Sequence, residues 1–171
     1  MTQRFAVYAV VGVVLVAFLG SCSRSPLSGP PTLRVGHDQC AACGMIISED
    51  RFAGALLVSR EGDREYLVFD DIGCMLDHQH DGLKNADVIE RYVHDYPSQA
   101  WVDARTSTYL LTDPKSLPTP MGSGIAAFSN PADAAAQQPS KGGRVLNWNE
   151  LISARRVWME ERFGKPASKG G

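Results

Sequence analysis

An uncharged apolar run from Phe5 to Leu19, with the single basic residue Arg4 before it, constrains the fate of this chain more than any other stretch. Its length suits the hydrophobic region of a secretory signal and is short for a helix that crosses a bilayer. Export follows, so everything that folds lies beyond the run, in a compartment that oxidises thiols. The apolar fraction of 44% is inflated by this leader and overstates the core available to the remainder. That remainder suffices for one compact domain or two very small ones.

The run ends in Leu19-Gly20-Ser21-Cys22, small residues leading into a cysteine. This is the pattern of a bacterial lipoprotein cleavage box, so residues 1–21 are expected to be a signal peptide and Cys22 the lipidated first residue of the mature chain. Ser23, rather than aspartate, in the next position resembles the outer-membrane class of sorting signal. The expected location is a periplasm-facing lipoprotein, held to the membrane through Cys22. With Cys22 spent on lipid, Cys40, Cys43 and Cys74 remain. An odd number of thiols in an oxidising compartment leaves one free, metal-bound or reactive. The formal net charge of -2 and the lack of any Lys/Arg-rich patch disfavour a nucleic-acid partner.

Residues 22–36 carry Pro26, Pro30 and Pro31 among Ser and Gly and read as a flexible tether. The folded domain is expected over residues 37–164, divisible near residues 97 and 98, with a disordered tail over 165–171. Within it, Phe52 to Ser59 and Glu65 to Phe69 read as strands joined by a turn at Glu61-Gly62-Asp63, although Ala53, Gly54 and Ala55 weaken the first. Asp70 or Asp71 can cap a short helix running to about His80. Val88 to Tyr96, Trp101 to Ala104, Tyr109 to Leu111 and Gly124 to Phe128 supply further strand candidates.

Asn130-Pro131 opens an alanine-rich helix, with proline where its missing N–H costs nothing. Gln137 to Gly143 reads as a polar loop. Asn147, with Glu150 three residues on, opens a terminal helix through a capping box. Leu151, Ile152, Trp158, Met159 and Phe163 form an apolar stripe along it, and Arg155, Arg156 and Arg162 are expected to be solvated. The passage from Tyr66-Leu67-Val68-Phe69 into a helix is echoed by Ile125-Ala126-Ala127-Phe128. Two strand–helix units in one α+β body are the expectation.

The chemistry concentrates in Cys40-Ala41-Ala42-Cys43-Gly44-Met45. A Cys-x-x-Cys alone fits half a zinc site or a redox pair. A closed zinc site wants four ligands, and no second pair exists; Cys40, Cys43, Cys74 and one histidine could fill it by count alone. A catalytic disulfide normally opens a helix, which the residues after Cys43 do poorly. Thiolate with thioether is a soft set that suits Cu(I). In an extended backbone Cys43 and Met45 face one side. Met121, in the Pro/Gly-bounded loop Pro120-Met121-Gly122-Ser123-Gly124, is the strongest candidate for a third ligand. Cys40 and His37 are secondary candidates, while Met75 and Met159 fit core packing. Asp70-Asp71 reads as helix capping, and no catalytic constellation can be placed, so an enzyme is not expected.

Cys40-x-x-Cys43-Gly44-Met45, Tyr66 to Met75, Trp101-Val102-Asp103-Ala104 and Pro120 to Phe128, with the lipoprotein signal, together resemble the NosL family. The resemblance spans about Arg34 to Phe163. It implies two small ββαβ-type units, treble-clef-like and similar to the metal-binding part of organomercurial lyase, in one compact body. It implies a periplasmic Cu(I) metallochaperone that supplies apo nitrous oxide reductase, with the membrane ABC-type Nos complex as docking partner. It places Cys43 and Met45 on the metal and Met121 as third ligand. A thiol-disulfide oxidoreductase using Cys40 and Cys43, or a structural zinc lipoprotein, are the alternatives.

Overall fold

The structure, a computed structural model, describes residues 26–164. The signal segment, Cys22 and the residues from 165 onward lie outside the described residues.

Strand β1 (Gly54–Arg60) returns through Glu61 and Gly62 into β2 (Asp63–Phe69), in register from Gly54–Phe69 to Arg60–Asp63. Both turn residues take positive φ, 54° and 95°, the twist that suits a tight hairpin. β1 is almost wholly buried, which explains its small residues: Gly54 leaves room for the fully buried Met75. β3 (Asp87–His94) pairs with the other side of β1, and β4 (Trp101–Asp103) with β3, giving an antiparallel sheet of order β2-β1-β3-β4. A second antiparallel sheet, of order β6-β5-β7, comprises β5 (Thr108–Leu111), β6 (Ile125–Phe128) and β7 (Arg144–Leu146).

Helix α1 (Ile72–Asp77) follows β2 and widens into a π-helical turn, His78–Gly82. Helix α2 (Pro131–Lys141) follows β6, and α3 (Trp148–Phe163) follows β7. The two strand-to-helix passages match the echo in the sequence, and the fold is α+β. The sheets share one core: Leu56, Phe69 and Val93 pack in the same cluster as Tyr109, Ile125, Leu146, Trp148 and Leu151. Buried Asp95 stitches the seam, accepting from Ser129 N at 2.7 Å, while Tyr96 N donates to Ala127 O at 2.7 Å.

Three expectations are corrected. Residues 137–143 are not a loop: α2 runs to Lys141 with Pro139 inside it. Proline there removes one backbone bond in an exposed last turn, and Thr112 Oγ1 donates to the free Lys141 carbonyl at 2.7 Å. Arg144–Leu146 then form β7, too short to announce itself. Arg155 is not solvated: its side chain is 13% exposed, and Nε and Nη2 grip both carboxylate oxygens of Asp77 at 2.9 and 2.7 Å. The apolar stripe of α3 is buried at Leu151 and half-buried at Ile152 but exposed at Trp158 and Phe163.

Ahead of the first sheet, part of the proline-rich segment lies against it. Pro31 is buried, Gly29 N donates to Glu90 Oε2 at 2.9 Å, Tyr66 Oη donates to Gly29 O at 2.7 Å, and Arg64 Nη1 donates to Leu27 O at 2.8 Å. Among the described residues no helix is long and apolar enough to cross a membrane.

Candidate metal centre

The sulfur motif forms the head of a hairpin. Gln39 and Ile46 bridge antiparallel, Cys40 N donates to Met45 O at 2.8 Å, and Gly44 N donates to Cys40 O at 2.8 Å. Gly44 stands at φ 74°, in the left-handed region that glycine occupies without strain. The backbone is therefore a tight turn, not the extended stretch expected to set Cys43 and Met45 side by side. At the hairpin's base the Arg34 guanidinium and backbone N–H hold Asp38, and these contacts keep its carboxyl below the usual range.

Two contacts fasten the hairpin to the first sheet and its helix. Ala41 N donates to Val68 O of β2 at 2.8 Å, and Ser48 N donates to Asp70 Oδ1 at 2.8 Å. The strand that receives the hairpin therefore feeds directly into α1. Asp71, fully buried, caps that helix by accepting from Gly73 N at 2.6 Å. Capping sets the first turn of α1 under the hairpin, and Cys74 lies in that turn.

The result is a cluster in which the sulfurs of Cys40, Cys43 and Cys74 all lie within 4.8 Å of one another. Cys40 is buried at 2% exposure, Cys74 is half-buried, and Cys43 faces solvent. The Cys74 S–H, donating to Cys40, holds the Cys40 thiol down to about 5 against the opposing effect of burial. Backbone N–H groups of Asp70, Cys43 and Ala42 aim at the same sulfur and favour its thiolate. The Cys74 thiol is pushed up by that same bond and by burial, and the Cys43 thiol is raised by partial burial and by neighbouring Cys40. Cys40 is thus the sulfur that favours the thiolate, while Cys43 and Cys74 favour the thiol.

The loop of Met121 comes from the second sheet onto the capping residue of α1. Thr119 Oγ1 donates to Asp71 Oδ2 at 2.6 Å, Met121 N donates to the same oxygen at 3.1 Å, and Gly122 N closes the turn onto Thr119 O at 3.0 Å. A Cβ on Gly73 would stand 2.7 Å from Ser123 Cβ, so only glycine lets the loop sit this close to α1. Met45 and Met121 are both exposed, at 56% and 41%.

His37 is exposed at the hairpin's base, and among the described residues no histidine joins the cysteine cluster. His78 packs at a tilt against Phe69, His80 pairs with Asp81 at 2.7 Å, and His94 lies buried against the edge of Trp101. The residue that sequence reasoning undervalued is Cys74. Its signal was the odd thiol count together with its place just after a strand and a capping aspartate. Met75, as expected, is core, and Met159 is half-buried on α3.

Three convergent thiols on an α+β domain, one sunk in the core and one open to solvent, define a thiolate metal-binding protein. Residues 33–155 match the NosL family, and the chain belongs to that family. It is 29% identical over 164 residues to the copper-binding lipoprotein NosL of Stutzerimonas stutzeri, an alignment covering 89% of this chain and 83% of that one. It shares its fold with the copper chaperone NosL from Shewanella denitrificans, at a TM-score of 0.64 and 24% identity over 75% of this chain and 99% of the other. Both relatives are named for handling copper.

Proposed function

We propose that the protein is a periplasmic Cu(I) metallochaperone, lipid-anchored through Cys22, that delivers copper to apo nitrous oxide reductase with the ABC-type Nos complex as docking partner. The observation that carries this reading is the approach of three sulfurs within 4.8 Å with one of them open to solvent. Soft thiolates and thioethers select a soft monovalent ion over hard cations. We assign Cys43 as the central ligand, with Met45 and Met121 as thioether donors on the solvent side. Cys40 and Cys74 supply the inner thiols. Cu(I) takes only a few donors at once, so a partner's soft ligand can enter beside Cys43 while a thioether leaves. We read the hairpin and α1 together as a treble-clef-like arrangement.

The rival readings lose support on specific grounds. Thiol-disulfide exchange needs an accessible thiolate, yet the thiol lowered to about 5 is the buried Cys40, and the exposed Cys43 is raised. A structural zinc site needs a fourth protein ligand, and no histidine or carboxylate joins the cluster among the described residues.

The test is anaerobic Cu(I) titration against a chromophoric chelator. Cys43→Ala is expected to abolish tight binding while leaving the circular dichroism spectrum unchanged, because the side chain is exposed. Met45→Ala is expected to weaken binding without unfolding. Parental affinity in the cysteine variant overturns the assignment.

A further inference from the structure

Asp71 does more than cap a helix. Its Oδ1 is committed to Gly73 N, which satisfies the first turn of α1. Its Oδ2 faces away from the helix and accepts from Thr119 Oγ1 at 2.6 Å, from Met121 N at 3.1 Å and from Ser123 N at 3.5 Å. The carboxylate is fully buried, so each oxygen depends on these donors rather than on water. Thr119 in turn accepts from Ser123 N at 2.9 Å and Gly124 N at 3.3 Å. One side chain therefore locks a thiol-bearing helix of the first sheet to a thioether-bearing loop of the second. Among the described residues no backbone ladder near the site ties those elements, so the Met121 turn owes its place to Asp71 and Thr119.

We propose that Asp71 is the positioning residue of the copper site: it holds the Met121 thioether against the cluster by clamping the Thr119–Ser123 turn onto the first turn of α1. This rests on the assignment of Met121 as a copper donor. Asp71 does not touch the ion. It sets the distance between a donor on one sheet and the donors of the other, and outer groups of this kind typically tune metal affinity about 10- to 100-fold.

Asp71→Asn separates the two functions of the residue. Asparagine is as good an N-cap as aspartate, so its amide oxygen keeps the Gly73 contact, while its NH2 cannot accept from Thr119 or Met121. Thr119→Val leaves the cap untouched and removes the clamp from the other side, which keeps the question open to measurement should Asp71→Asn fold poorly. Both variants, Met121→Ala, and the Asp71→Asn/Met121→Ala and Thr119→Val/Met121→Ala doubles are titrated anaerobically with Cu(I) alone against a chromophoric chelator. Sulfur ligands are counted by copper-edge X-ray absorption on each loaded protein.

Each single variant is expected to lose about the same affinity, roughly tenfold or more, and the same one sulfur from the copper shell, and the doubles no more than Met121→Ala. If Met121→Ala weakens binding while folded Asp71→Asn and Thr119→Val match the parent, the positioning role is overturned and the ligand assignment stands. Losses that add in the doubles also overturn it, since Asp71 then acts other than through Met121. If Met121→Ala itself matches the parent in affinity and sulfur count, the ligand assignment fails and takes the positioning role with it.

Discussion

Three thiols separated by three and by thirty-one residues in sequence share protons unequally because they share space unequally. Cys40 is held as a thiolate by Cys74 and by backbone N–H groups, whereas Cys43 and Cys74 keep their protons at neutral pH. A metal bound by all three must displace what is there, so copper uptake at pH 7 is expected to release about two protons per ion. The sign follows: affinity rises with pH, and the dependence steepens to about three protons below pH 5, where Cys40 also becomes protonated. Calorimetric titration in buffers of different ionisation enthalpy measures this number directly. Release of about one proton at pH 7 shows instead that only Cys43 or Cys74 gives up a proton to the metal. Cys43, Gly44 and Met45 were legible in the sequence because they are neighbours. Cys74 was not, because nothing local to Ile72-Gly73-Cys74 reveals that the first turn of α1 lies beneath a hairpin thirty residues upstream. The aspartate pair was half-legible: the cap at Asp71 follows from residue type, but its outward-facing oxygen depends on a loop fifty residues away.

At the level of elements, patterns with a local cause are legible in the sequence, and those set by tertiary partners are not. The capping box of Asn147 and Glu150 is present in both directions, at 3.0 and 2.8 Å, because it involves only residues three apart. The β1–β2 hairpin and the Asn130 cap of α2 follow from equally short-range chemistry. The polar composition of residues 137–143 hides the end of α2, whose Lys141 carbonyl accepts from Thr112 just beyond β5. Arg155 misled for a related reason: a guanidinium on a helix edge is normally solvated, but here Asp77 of α1 meets it and its charged group lies 4.1 Å above the Trp158 ring. This fork joins α1 to α3 in a partly buried position, between the surface and interior limits for ion pairs. Asp77→Ala is expected to cost about 1–2 kcal/mol, more than an exposed pair, by leaving Arg155 unpaired. Urea denaturation checks it. A midpoint equal to the parent's shows that Arg155 swings into water at no penalty.

Across the whole molecule, two sheets of separate topology behave as one body because their side chains interleave. Phe69 and Leu56 from one sheet and Tyr109 and Ile125 from the other belong to a single buried cluster, and the tilted contact of Tyr109 with Trp148 brings α3 into it. Because the larger buried cluster draws on both sheets, unfolding is expected to be a single transition with equal calorimetric and van 't Hoff enthalpies. Two resolved calorimetric peaks contradict that. The paired strand–helix units were visible as an echo in the sequence, but their shared core was not, since burial on both faces of β1 erases the alternation that marks a strand's inner side. The strap of Leu27 to Pro31 across the first sheet also sets a range of action. With Cys22 in lipid, as proposed, only the peptide from Cys22 to Leu27 is left to pay out, a reach of at most about 18 Å. The domain is then moored close to its bilayer, and a copper acceptor has to come to the membrane to meet it.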